Sequence, residues 1–150
     1  MAIKEDDLLT YAKSLASEDA SECQLRASMS RSYYAAFHSL LPLVQELPPS
    51  ANAVGRDVNH FEVTERLVEW RVESLCPALK GYRDIKARAQ RAMDAARAKR
   101  IIADYRLGQD VSFADTLGQI HRVEQVIRAT HNLLAVVEQD RGVATGSSTA

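Results

Sequence analysis

The chain has 150 residues, 46% of them hydrophobic and 26% charged, the profile of one globular domain able to bury a core without disulfide or metal staples. Six Gly and four Pro are few for a strand-rich sandwich or barrel, and with abundant Ala, Leu, Arg and Glu they favour helices. No apolar run approaches the roughly 20 residues of a membrane span, and the segment from Met1 to Asp7 has no apolar signal core, so we expect a cytoplasmic protein whose cysteines, Cys23 and Cys76, are free buried thiols.

The net charge is −1, but it is unevenly spread. Lys80 to Arg106 holds nine Lys/Arg against three Asp/Glu, a local charge of +6, and the rest of the chain carries −7. Such a basic stretch reads either as a solvated helix face or as an electrostatic footprint for a phosphate backbone.

Five helical segments are predicted. The first runs from about Glu5 to Ser17, with Leu8, Leu9, Ala12, Leu15 and Ala16 on one side. The second starts behind Ser21 as N-cap and reaches about Leu47, with Pro42 expected to kink it or end it early. Pro48 to Gly55 is a loop. Asn59 and Glu62 have the spacing of a capping box opening a third helix from His60 to about Ser74. Pro77 suits the first turn of a long fourth helix that ends near Gly108. In it Tyr82, Ile85, Ala89, Ala92, Met93, Ala96 and Ala103 share a face.

Ser112 with Asp115 caps a fifth helix running to about Asp140, with a stripe at Phe113, Leu117, Ile120, Ile127 and Leu134. Val126, Leu133 and Val136 lie beside that stripe as a dimer face or a wider core contact. The expected architecture is all-α, an antiparallel bundle of four to five helices. It forms a single domain over residues 1–142, followed by a disordered tail over 143–150.

No phosphate-cradling Gly loop and no nucleophile elbow is present, and no histidine has metal-site spacing, so neither a metal nor a cofactor is expected. His131 falls within the last helix's stripe and reads as a core histidine, and His60, four after Arg56 at the entry to the third helix, reads as an exposed loop histidine or, as the lesser reading, a second titrating group for a cleft. Trp70 reads as an anchor between helices. Arg100 falls on the apolar face of the fourth helix with Asp104 one turn on, the pattern of a buried structural ion pair that Tyr105 could cap with its hydroxyl.

The segment Ser30-Arg31-Ser32-Tyr33-Tyr34-Ala35-Ala36-Phe37-His38 is the most informative. Arg31 and His38 are seven apart, two turns less about 20°, so they point the same way roughly 10 Å apart along the axis. The apolar residues Leu25, Met29, Tyr33, Phe37, Leu40, Val44 and Leu47 centre on the other side, which places Ser28, Arg31, Tyr34 and His38 on the outer face. Imidazole can serve as general acid or base, and a guanidinium can hold a phosphate and stabilise its developing charge. Together they suit phosphodiester cleavage with an RNA 2′-hydroxyl as nucleophile.

That segment resembles the second helix of small prokaryotic HEPN-domain proteins. Arg100-Ile101-Ile102-Ala103-Asp104-Tyr105 resembles the Arg-x-x-Ala-Asp-Tyr element on a later helix of the same proteins, and the resemblance covers about residues 5 to 140. It implies a helical bundle that commonly dimerises, hence a homodimer. Many members are metal-independent endoribonucleases of toxin–antitoxin or anti-phage defence systems, with an Arg and a His a few residues apart facing a cleft at the dimer interface. On that reading His38 is the general acid/base, Arg31 the phosphate clamp and Tyr34 the residue that orients one of them. Arg88, Arg91 and Lys99 would attract the RNA. The signature usually sits nearer the start of a later helix with a Tyr before the His, whereas Phe37 precedes His38 here. Branches with this context include proteins without established catalysis. The resemblance therefore also implies an alternative, a non-catalytic interaction module partnering a nucleotidyltransferase-type antitoxin or another protein.

Overall fold

The computed structural model describes residues 2–55 and 58–147, without the side chains of 144, 145 and 147. It is all-helical: α1 (Glu5–Leu15), α2 (Glu22–Val44), α3 (His60–Glu69), α4 (Val72–Leu75), a 3-10 turn (Pro77–Tyr82), α5 (Arg83–Tyr105) and α6 (Phe113–Ser147).

Local chemistry starts these helices where expected. Ser21 accepts from the Gln24 backbone N–H at 3.2 Å while the Gln24 side chain takes the Ser21 N–H at 2.9 Å, a reciprocal cap. Ser112 and Asp115 repeat the arrangement before α6. Asn59 caps α3 through the Glu62 N–H at 2.9 Å, but the Glu62 carboxylate turns inward instead of closing the box.

Two helix ends are closed by arginines from distant segments. The carbonyls at a helix C-terminus have no partner within the helix. Arg66 of α3 donates to Val44 O and Leu47 O, both at 3.2 Å, and so closes the end of α2. Its own charge is met by Glu62 at 2.6 Å, whose other contacts are the Ser50 N–H and hydroxyl. Arg26 of α2 likewise donates to Ile102 O, Ala103 O and Arg106 O and to the carbonyl of Gln109. This explains why α5 ends at Tyr105, short of the expected Gly108, and why α2 ends at Val44 rather than Leu47.

α2 is the central helix. It packs against α1, α3, α5 and α6, so it is buried on nearly every side rather than on one stripe. Ser28, expected on the outer face, is fully buried, because α1 crosses that side and the Ser28 hydroxyl donates to Ala12 O at 2.6 Å. Ser32 and Ser39 are buried with their hydroxyls on Met29 O and Ala36 O. Small side chains here let four neighbouring helices approach one axis.

Four further expectations are corrected. The third helix stops at Trp70, whose backbone is extended, and a separate short α4 follows. Trp70 itself is buried. Pro77 opens a 3-10 turn, and the long α-helix starts only at Arg83. α6 continues past Asp140 and Gly142 to Ser147, so 143–147 is helical and the rest of the expected tail, 148–150, lies outside the described residues. Cys76 is buried as expected, but Cys23 is exposed near the start of α2.

The buried residues of α6 include Thr116, Gln119, Val123, Val126, Thr130, Leu133 and Val137, which step alternately by three and four as in a heptad seam, with Ile120 and Ile127 buried beside them. The predicted stripe lies beside this line: Ile120 and Ile127 are buried and Phe113 and Leu134 pack against the core, but Leu117 is 45% exposed and His131 is exposed, not in the core. Val126 and Leu133 are buried core contacts rather than an outer face. The seam was obscured because three of its members are polar. Each is satisfied locally or across to α5: Thr116 on Ser112 O, Thr130 on Val126 O, and Gln119 on Ala96 O at 2.8 Å. Opposite it, α5 presents Ala89, Met93, Ala96 and Ala103, all buried, as its sequence predicts.

Candidate functional site

The two segments that carry the family resemblance meet in space. Arg100 of α5 donates from Nη2 to the Tyr34 hydroxyl at 3.0 Å and holds Asp104 Oδ2 2.7 Å from its Nε. Asp104 also accepts from the Ser30 hydroxyl at 3.2 Å. The Arg100 guanidinium lies 5.8, 5.5 and 5.4 Å from the ring centroids of Tyr33, Tyr34 and Tyr105, within the range of cation–π attraction. The predicted ion pair is therefore present, with side chains 12% and 26% exposed. Tyr105 does not cap it by hydroxyl contact. It is 67% exposed and contributes its ring.

On the solvent side of this cluster, α2 presents Arg31 and His38, both exposed, with the half-buried Tyr34 between them. Arg31 sits 5.8 Å from the Tyr34 ring centroid, and the His38 ring stands edge-on to Phe37 at 5.4 Å. The sequence thus places these three correctly on one flank.

The first residue of α3 completes the site. His60 is half-buried rather than an exposed loop residue: its Nδ1 lies 3.1 Å from the Tyr33 hydroxyl and its ring packs on Phe37 at 4.5 Å. Burial, then the cations Arg100 and Arg97, then His38 hold its pKa below the ordinary histidine value. Burial pushes the Tyr33 hydroxyl up to about 12, with Arg97 and Arg100 pulling it the other way. Both partners are uncharged at neutral pH, so the Tyr33–His60 contact is a hydrogen bond between neutral groups. Next to His60, Phe61 is 42% exposed and carries Arg97 5.9 Å from its ring centroid.

Arg88 and Arg91 do not join this cluster. Each is nine residues from Arg97 or Arg100 respectively, which at 100° per residue is half a turn, so they point from the opposite flank of α5. There they line a groove of about 680 Å³ between α5 and α6, with Arg122, Arg128, His121 and Gln125 across it. Lys99 belongs to neither place and lies 3.8 Å from Asp115 at the start of α6. A second concavity, of about 820 Å³, is lined by Trp70, Glu73, Lys80 and Lys86. Neither Arg31 nor His38 lines these concavities or the smaller one beside Pro48 and Arg66.

Sequence reasoning misses Arg97 as a site member, although it lies three before Arg100 on the same helix face. It gives the site role of His60 only as the lesser reading, because the rings that pack on it, Tyr33, Tyr34 and Phe37, come from α2. Comparison of the chain with known protein families, with curated proteins and with solved structures finds no match.

Proposed function

We propose that this helical bundle is a HEPN-type protein that binds single-stranded RNA on the α2–α3–α5 face and cleaves it without metal. The observation that carries the reading is the pairing of exposed rings with arginines on that face. Phe61 under Arg97 and Tyr105 beside Arg100 flank Arg31, Tyr34 and His38. Exposed aromatic rings beside cations are how proteins stack unpaired bases while holding the phosphates between them. In the proposed reaction His38 takes the proton of a 2′-hydroxyl, whose oxygen attacks the adjacent phosphorus. The bond from phosphorus to the 5′-oxygen breaks, and that oxygen leaves with a proton drawn from solvent, giving a 2′,3′-cyclic phosphate. Arg31 binds the charge that builds on the phosphoryl oxygens. The Tyr34 ring, fixed by Arg100, positions Arg31.

The face is open in one copy, and pairing it with the same face of a second copy would convert it into a cleft. We therefore also propose a homodimer with the outer flank of α2 at the interface. The deciding experiment is cleavage of labelled single-stranded RNA by the wild type and by variants at His38 and Arg31. One observation favours the alternative of a non-catalytic interaction module, with a nucleotidyltransferase-type or other protein partner: Arg31 and His38 lie on open surface rather than in one of the concavities. Cleavage by the purified protein separates the two.

A further inference from the structure

The groove between α5 and α6 holds four arginines, Arg88 and Arg91 on one wall and Arg122 and Arg128 on the other, and no Asp or Glu side chain lines it. The partners these arginines have are neutral. Arg88 donates to Asp84 O at 3.4 Å and Arg122 to Gln119 Oε1 at 3.0 Å. Among the described residues no carboxylate comes within 4.0 Å of Arg91 or Arg128. Four like charges facing one concavity repel one another unless an anion sits among them, and the attraction they exert grows with the number of anionic groups on one ligand.

The shape points to an extended anion. Arg122 and Arg128 are about 9 Å apart along α6, and Arg88 and Arg91 about 4.5 Å apart along α5, at 1.5 Å per residue. The charges are strung along the groove instead of converging on one point. Its floor is Ala92, Ala95, Ala129 and Gly118, so a chain can approach both helices closely. No Phe, Tyr or Trp lines it, and among the described residues the imidazole of His121 is its one ring, so it offers less to stack a base on than the face that carries Phe61 and Tyr105.

We propose that the α5–α6 groove binds the phosphodiester backbone of RNA independently of sequence, as a second contact on the flank of α5 opposite the Arg31–His38 face. The choice of RNA among extended polyanions rests on the function proposed above.

The test is binding of a labelled oligoribonucleotide by fluorescence anisotropy across a salt series, with wild type and the Arg91→Glu, Arg128→Glu double variant. Both arginines are exposed, and helicity by circular dichroism checks the fold. The Arg91→Gln, Arg128→Gln variant replaces the reversal if that one fails to fold. We expect the double variant to lose at least about tenfold in affinity for every sequence tried, and the slope of log K against log salt to shrink by about two. Lys at both positions should restore most of the affinity. The same double substitution made in a His38→Ala background, compared with His38→Ala alone, should lose the same factor in affinity, so loss of cleavage and loss of groove binding are read separately. Wild-type affinity in the double variant overturns the proposal. So does displacement of the RNA by inorganic tripolyphosphate at equal phosphate concentration, which would show a site for any small anion.

Discussion

Arg100 reaches across from α5 to Tyr34 on α2, Nη2 to hydroxyl at 3.0 Å, and joins two segments 66 residues apart. The same guanidinium touches Asp104 on its own helix and the rings of Tyr33 and Tyr105. One side chain thus links α2 to α5 at the site and fixes Tyr34, the ring on which Arg31 rests. The site is organised by a structural arginine that lies behind its exposed residues.

Arg100→Ala should therefore cost stability as well as order in the site. The loss removes a charge-assisted hydrogen bond and three ring contacts, about 2 kcal/mol. It is below the cost of stranding a fully buried charge, because Asp104 is 26% exposed and keeps the Ser30 hydroxyl. In a chain of this size that lowers Tm by about 4–8 °C. Arg100→Lys, which keeps the charge but not the fork, should fall between. A calorimetric scan of Arg100→Ala with unchanged Tm would remove Arg100 from this role.

Glu62 and Arg66 form the more deeply buried pair, at 3% and 6% exposure. Burial alone would raise the Glu62 pKa, but the hydrogen bonds from Arg66 and Ser50 outweigh it and hold the carboxyl below its ordinary range. Glu62→Ala strands Arg66 in the core and should cost about 3–5 kcal/mol in urea unfolding. The Glu62→Leu, Arg66→Met double variant removes both charges but also uncaps α2 at Val44 O and Leu47 O. It should recover only part of that loss. Full recovery would show that the cap carries no stability.

Stability should also depend on pH through His60. Its folded pKa lies below its ordinary value of 6.5 because of burial, Arg100, Arg97 and His38, so the unfolded chain binds its proton first. As pH falls through about 6.5 the unfolded state takes up more protons than the native one, and stability declines. The Glu62 and Asp115 carboxyls, both held low, add a second decline below about 4.5, of the same sign. Melting curves between pH 7.5 and 5 should show the first step in wild type and lose it in His60→Gln. An identical profile in that variant would contradict the assignment.

Much of this fold is legible in local chemistry. The caps at Ser21, Asn59 and Ser112 and the small-residue face of α5 each follow from residues within a few positions of one another. What fails is whatever depends on distant partners. The outer face assigned to α2 was wrong at Ser28 because α1 covers it. In α6 the buried Ile120 and Ile127 are legible from apolar spacing, but the buried Thr116, Gln119 and Thr130 are not, because a polar side chain reaches the core only where a carbonyl accepts from it. Arg26 and Arg66 carry no local signal of their roles, because the helix ends they close lie 76 and 22 residues away. In the site, Arg31, Tyr34 and His38 were readable as one flank from helical spacing alone. The packing of His60 on Tyr33 and Phe37 was not, and of the α5–α6 groove only two of its basic residues, Arg88 and Arg91, are singled out by the sequence, not the groove itself.

The dimer proposal is tested by light scattering. A mass of twice 16.6 kDa at tens of micromolar is expected. A wild-type protein that is monomeric under those conditions would remove the cleft that pairing is proposed to create.

The central claim is tested most directly by incubating purified protein with labelled single-stranded RNA and resolving the products. The account predicts cleavage by the wild type, with and without EDTA, leaving 2′,3′-cyclic phosphate ends. His38→Ala should lose roughly 10²–10⁴ in rate through the missing proton transfer, and Arg31→Ala a comparable factor through the missing charge stabilisation, both with wild-type helicity. Undiminished cleavage by His38→Ala, or none by the wild type, would contradict it.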